Sequence, residues 1–199
     1  AYRLTNSWNE GTLCEQAATL ASNGATWLAR TYTSQWTTPG ADFVTTDGAV
    51  TAVSTNTGGI GGTATYGWDV TTLTQNWYNN TFPNEGFVLK DVLETNGNDK
   101  AFASLNNGTA GNRPVLRVTY TPSGGGAAVV LDIQASRDTY IYERTLSKVY
   151  GNATTFQLSA EALAEERLLV KFDVKPADIP TGSTVTSATM KLTRTGGDN

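Results

Sequence analysis

Residues 115–120 read Val115-Leu116-Arg117-Val118-Thr119-Tyr120, and their alternation decides the fold class. Successive side chains of a strand point to opposite faces, so Leu116, Val118 and Tyr120 share one face while Arg117 and Thr119 share the other. Two further segments repeat the pattern. In 168–174, Leu168, Val170, Phe172 and Val174 point inward, with Lys171 and Asp173 outward. In 185–193, Ala188, Met190 and Leu192 point inward, with Thr189, Lys191 and Thr193 outward. Shorter runs at 2–5, 27–32, 49–53, 87–90, 101–104, 139–142 and 155–158 add strand candidates. One helix is expected: Asp69 stands where a cap accepts free amides, and Val70, Leu73 and Trp77 follow at spacings of three and four. A second helical turn is expected over 160–166. Many short strands, Gly and Asn turns and little helix predict an all-β, antiparallel jelly-roll sandwich with one or two short helices.

Composition agrees. The 199 residues include 33 Thr, 15 Asn and 20 Gly. Threonine suits a pleated, half-buried surface, and Asn and Gly supply the corners between strands. A chain of this size buries a real core without disulfides. Charged residues make up only 16% and the net charge is −4. No Lys/Arg run exists to displace counterions, which argues against a nucleic-acid partner. The longest apolar run, Ala127 to Leu131, is far short of the roughly 20 residues of a membrane span, so no membrane insertion is expected. Histidine is absent, which removes imidazole bases, Ser-His-Asp triads and His-ligated metals. The single cysteine, Cys14, excludes internal disulfides and thiolate clusters and reads as a small buried hydrophobe. No initiator Met or signal peptide is present, which reads as a mature, processed or excerpted chain. Few Lys and Glu with many hydroxyls suit an extracellular or cell-surface protein.

The one linker-like stretch is Thr121-Pro122-Ser123-Gly124-Gly125-Gly126-Ala127-Ala128. It divides the chain into 1–121 and 129–199 around a flexible joint at 122–128. The second part ends oddly. The strand at 185–193 runs into Thr195-Gly196-Gly197-Asp198-Asn199, a turn signature with no return strand, while residue 1 opens directly into Tyr2-Arg3-Leu4-Thr5.

The phrases on either side of the joint resemble a known group. SRDTYIYE at 136–143, ERLLVKFDV at 166–174 and IPTGSTVTSATMKLTRTGGDN at 179–199 are similar to the opening half of DNRLRE-type β-sandwich domains. AYRLTNSWNEGTL at 1–13, GATWLARTYTSQWTTPGADF at 24–43, YGWDVTTLTQNWYNN at 66–80, NEGFVLKD at 84–91 and NRPVLRVTY at 112–120 resemble its closing half. The group overlaps carbohydrate-binding module family 96 and domains of archaeal disaggregatases. The resemblance implies a β-sandwich, and some relatives bind acidic polysaccharides. Here the halves stand in inverted order. Three arrangements explain that: a permutant closing on itself, one period of a tandem repeat, or subunits that complete one another by strand exchange. The last two are expected here, with 129–199 of one copy completed by 1–121 of another, Tyr2 and Leu4 pairing across copies with Met190 and Leu192. A heterologous contact of that kind need not close, so it builds a head-to-tail fibre or layer.

Chemistry-bearing constellations are few. Gly58-Gly59-Ile60-Gly61-Gly62 lacks the Lys-Ser/Thr ending of a phosphate loop and reads as a surface loop. Asp91, Glu94, Asn96, Asn98 and Asp99 carry oxygens suited to Ca2+, although the spacing is not that of an EF-hand and an Asn-Gly turn explains the stretch equally. No other cofactor is expected. Glu165 and Glu166 are adjacent and point to opposite faces of a strand, so they form no acid/base pair. No catalytic residue is expected. Among the five tryptophans, Trp27, Trp68 and Trp77 read as core, while Tyr32, Trp36 and Asp42 read equally as a loop that stacks on and hydrogen-bonds a sugar. Sequons at Asn79, Asn107 and Asn152 mark glycosylation candidates in turn-like contexts. The leading expectation is a non-enzymatic structural subunit whose partners are further copies of itself. A polysaccharide-binding module of a secreted enzyme or adhesin is the alternative.

Overall fold

The computed structural model describes residues 1–49, 64–92, 99–175 and 177–197. The expected strand at 49–53 and the glycine loop at 58–62 fall largely or wholly outside these residues. In chain order the strands are β1 (Tyr2–Leu4), β2 (Gln16–Ala17), β3 (Ala29–Thr31), β4 (Ser34–Gln35), β5 (Phe43–Val44) and β6 (Ala64–Asp69). Helix α1 (Thr71–Tyr78) follows, then β7 (Phe87–Leu89), β8 (Lys100–Ala103), β9 (Val115–Thr121) and β10 (Val129–Gln134). The remainder are β11 (Arg137–Tyr142), β12 (Lys148–Val149), β13 (Thr155–Leu158), β14 (Glu166–Lys171) and β15 (Thr184–Gly197). All the pairings are antiparallel, and the chain is an all-β sandwich with one short α-helix among the described residues.

One sheet runs β11-β14-β7-β1-β5. The other runs β10-β9-β15-β8-β13, with β6 also against β15. The alternating faces meet between them. Phe87, Leu89, Leu168 and Val170 of the first sheet, with Phe172 just beyond β14, pack in one core with Phe102, Leu116, Val118, Met190 and Leu192 of the second. Burying each such side chain stabilises by about 1.5–3 kcal/mol. The first sheet is covered on its other face as well. Leu4, Val88, Ile141 and Leu169 form a second cluster with Trp8, Ala25, Trp27, Trp36 and Ala41, all from the excursion between β1 and β5. This is why Phe87-Val88-Leu89 and Leu168-Leu169-Val170 are apolar without alternation: both faces are buried.

Helix α1 seals one end. The Asp69 carboxylate accepts the Thr71 amide at 3.0 Å and the Thr71 hydroxyl at 2.6 Å, which holds its carboxyl below the usual range. The Thr71 hydroxyl in turn accepts from the Ala188 amide at 2.8 Å, and Gln75 accepts from the Val185 amide at 2.6 Å. The helix therefore docks on β15 through hydrogen bonds as well as through buried Leu73 and Trp77. The helical turn expected over 160–166 is instead a non-helical turn between β13 and β14, closed by the Ser159–Glu166 bridge, with Leu163 at φ 62°. A left-handed residue interrupts any right-handed helix there.

The division at the glycine stretch is corrected by the strand pairing. β9 and β10 pair along all of Val115–Tyr120 against Val129–Gln134, so 122–128 is the loop of a hairpin, with Gly124 and Gly125 at positive φ. Strands from 1–121 and from 129–199 alternate in both sheets: β14 pairs β7, and β15 pairs β6, β8 and β9. The two parts of one chain share one core rather than avoiding each other. Cross-copy pairing of Tyr2 and Leu4 with Met190 and Leu192 is corrected for the same reason. β1 is hydrogen-bonded on both edges, Leu4 opposite Phe43 and Tyr2 opposite Val88. Met190 lies between Leu116 and Trp68, and Leu192 lies opposite Tyr66. These strands belong to different sheets, and their backbone groups are satisfied within the chain, so no unpaired row remains to recruit a neighbour.

Candidate functional site

The loop 32–42 was the sequence-level candidate for sugar binding. It sits above the outer tryptophan cluster, stitched to the segment at 23–26. Trp36 is 5% exposed, and its Nε1 donates to the Thr26 carbonyl at 2.9 Å. An indole with both ring faces in a core offers no stacking platform, so the even choice resolves to core. Asp42 is a loop clamp. Its carboxylate accepts the amides of Thr37 and Thr38, each at 2.9 Å, and the Asn6 side-chain amide at 3.0 Å. Tyr32 is 48% exposed, with its own amide donating to Asn23 Oδ1. Tyr32 therefore stands outside and Trp36 inside, and the three residues do not converge on one platform. An open groove of about 400 Å³ runs beside the clamp, lined by Thr5, Asn6, Thr37, Thr38, Asp42 and Phe43.

Trp27 carries Arg167 over its ring at 4.8 Å. That guanidinium also donates to the Gly40 carbonyl at 2.7 Å and to Glu165 at 2.6 Å. Glu165 thus serves an ion pair on the covered outer face. Its neighbour Glu166 is buried, and burial, reinforced by the Asp99 charge, pushes its carboxyl up to about 7. Asp138 on β11 is pushed up to about 8 by burial, opposed by the Leu105 amide and reinforced by Glu10. Glu10 is itself raised by burial. Glu166 and Asp138 do not form a carboxylate pair with each other. Glu166 pairs with Tyr142 and Asp138 with Val170, four residues apart on neighbouring strands, which is roughly 13 Å of strand. Sequence reading missed the buried charges at Lys100, Asp138, Glu166 and Arg194; for Glu166 and Arg194 the signal is present, since each extends by one step the inward-facing series of 168–174 and of 185–193.

The remaining candidates scatter. Asn79 and Asn152 are exposed. Asn107 is partly buried, its amide donating to the Thr154 carbonyl at 3.2 Å while its Oδ1 accepts from the Thr109 amide at 3.0 Å, so a glycan there competes with a turn bond. Asp91 and Asp99 are described, whereas Glu94, Asn96 and Asn98 lie outside the described residues. Cys14 is half-buried rather than buried, packed against the inter-sheet core, and burial raises its thiol.

One element with no sequence-level role stands out. Among the described residues β10 ends its sheet, paired with β9 alone. Val130 is 60% exposed and Val129 is also exposed. The acidic residue of the strand, Asp132, is neutralised by a bidentate contact from Arg117 at 2.7 and 2.6 Å. The strand contains no proline and no lysine. Natural sheet edges are blunted by such residues, by bulges or by shortness, and this six-residue edge has none of these. Comparisons with family models, curated proteins and solved structures find no match.

Proposed function

We propose that the protein is a non-enzymatic, extracellular structural subunit whose copies associate head-to-tail into a fibre or surface layer. The observation that carries this reading is the unblunted β10 edge with its exposed valines. A free edge presents a row of amides and carbonyls that a strand of another chain completes, adding backbone hydrogen bonds and covering apolar side chains together. Each copy folds by itself first, so joining is between finished sandwiches rather than between halves. Growth without closure requires β10 to meet a different edge of the next copy. The absence of histidine and the enclosure of the raised carboxylates, Asp138 above all, support the non-enzymatic part.

Electron microscopy and sedimentation of the purified chain test the reading. Concentration-dependent filaments or sheets support it. Persistent monomers at high concentration contradict it, and dimers that grow no further contradict the head-to-tail geometry by pointing to β10-to-β10 pairing. A polysaccharide-binding module is the second reading, favoured by the hydroxyl- and amide-lined groove beside Asp42. Binding of an acidic polysaccharide by monomers, lost on Asn6→Ala without loss of fold, would transfer the assignment to it.

A further inference from the structure

We propose that the carboxylates of Glu10 and Asp138 form a binding site for a hard divalent cation, Ca2+ in particular. Asp138 is 1% exposed. Its Oδ2 accepts the Leu105 amide at 2.5 Å, while its Oδ1, fully buried, has no hydrogen-bond partner. Its backbone amide donates to Glu10 Oε1 at 3.2 Å, which brings the second carboxylate alongside. As an ionised acceptor, Oδ1 receives no hydrogen bond from a protein group. Burial raises both carboxyls, and the Glu10 charge raises Asp138 further. Arg137 lowers Glu10 by its charge, but its Nη1 donates to the Trp8 carbonyl at 2.9 Å and it does not bond Asp138.

The segment that carries Glu10 is packed closely against its neighbours. The chain after Glu10 presses on Gly151 so closely that a Cβ there would run into the Glu10 and Gly11 carbonyl groups. The Gly151 carbonyl in turn accepts from Asn106, in the turn that also presents the Leu105 amide to Asp138. Among the described residues no three His, Cys, Asp or Glu side chains gather as a metal cage. A site of two carboxylates, completed by backbone carbonyls and water, therefore suits Ca2+, which accepts six to eight oxygens in flexible geometry, better than a transition metal. Such an ion would tie the segment before β2 to β11 and to the 104–106 turn.

The test uses the full chain, freed of metal with a chelator and titrated with CaCl2 by calorimetry. TbCl3 luminescence, sensitised by the stacked pair Tyr140–Tyr150, gives a second readout. One saturable equivalent and a melting temperature raised by several degrees are expected. Glu10→Gln keeps an acceptor for the Asp138 amide but removes one charge, and is expected to weaken Ca2+ at least tenfold. Asp138→Asn should abolish binding; should that variant fail to fold, Glu10→Gln decides. Absence of saturable binding at millimolar Ca2+, or binding unchanged in Glu10→Gln or in a folded Asp138→Asn, would overturn the proposal.

Discussion

β15 and β10 lie in one sheet, separated only by β9, yet they are opposites. β15 is paired along both edges, by β9 on one side and by β6 and then β8 on the other. Among the described residues β10 is paired along one edge, and no strand pairs with the other. Both carry alternating apolar residues. What separates them is the company the fold brings: Ala188, Met190 and Leu192 are wholly buried, whereas Val129 and Val130 are exposed. The sequence suggests the reverse: Thr195-Gly196-Gly197 read as the turn of an unfinished hairpin, although they continue β15 against β8, while the glycines before β10 read as a joint. A strand's openness is a property of its neighbours, not of its own pattern.

The comparison can be broken first at the closed strand. Met190→Ala removes a wholly buried side chain between Leu116 and Trp68, and a loss of about 2–5 kcal/mol is expected in denaturant unfolding. A loss below about 1 kcal/mol would mean that β15 is not held within its own chain as described.

The closed side of the sandwich also carries a pH signature. The folded carboxyl of Glu166 titrates near 7 against 4.5 for the ordinary value. Because the folded state holds this proton more tightly, its stabilisation is complete below about pH 4.5 and is lost as pH rises to about 7. The wild-type chain should therefore lose about 2–3 kcal/mol across that window relative to Glu166→Gln. Parallel pH profiles for the two proteins would show that Glu166 is solvated rather than enclosed.

The open strand should respond in the other way. Val130→Lys places a charge on an exposed edge, so stability should change by no more than about 0.5 kcal/mol. Lysine on an edge blocks strand addition, so association should fall sharply in light scattering. Association unaltered by Val130→Lys would move the contact away from β10.

Much of the sandwich is legible in the sequence. The faces of β9 and β15 follow from alternation at 115–120 and 185–193, and Asp69 and Trp77 mark α1. β6 is not legible because Gly67 interrupts its pattern and small residues weaken it. β10 is hidden because its first two residues are exposed valines that follow a glycine run. The fate of Trp36 depends on a cover built by residues 5–42 over the far face of the first sheet, a long-range fact with no local signal. The charge pair at Glu10 and Asp138 is 128 residues apart in sequence and meets only through β11.

Hydrogen exchange measured across protein concentration tests the central contrast most directly. In dilute solution the amides of 184–197 should already be strongly protected, and those of β10 that face away from β9 should exchange freely. As concentration rises, only the β10 amides should gain protection, by tenfold or more at the onset of assembly. Exchange in β10 that is independent of concentration would contradict assembly through this edge. Protection of 184–197 that appears only on concentration would contradict the self-contained sandwich and return strand exchange between copies to the account.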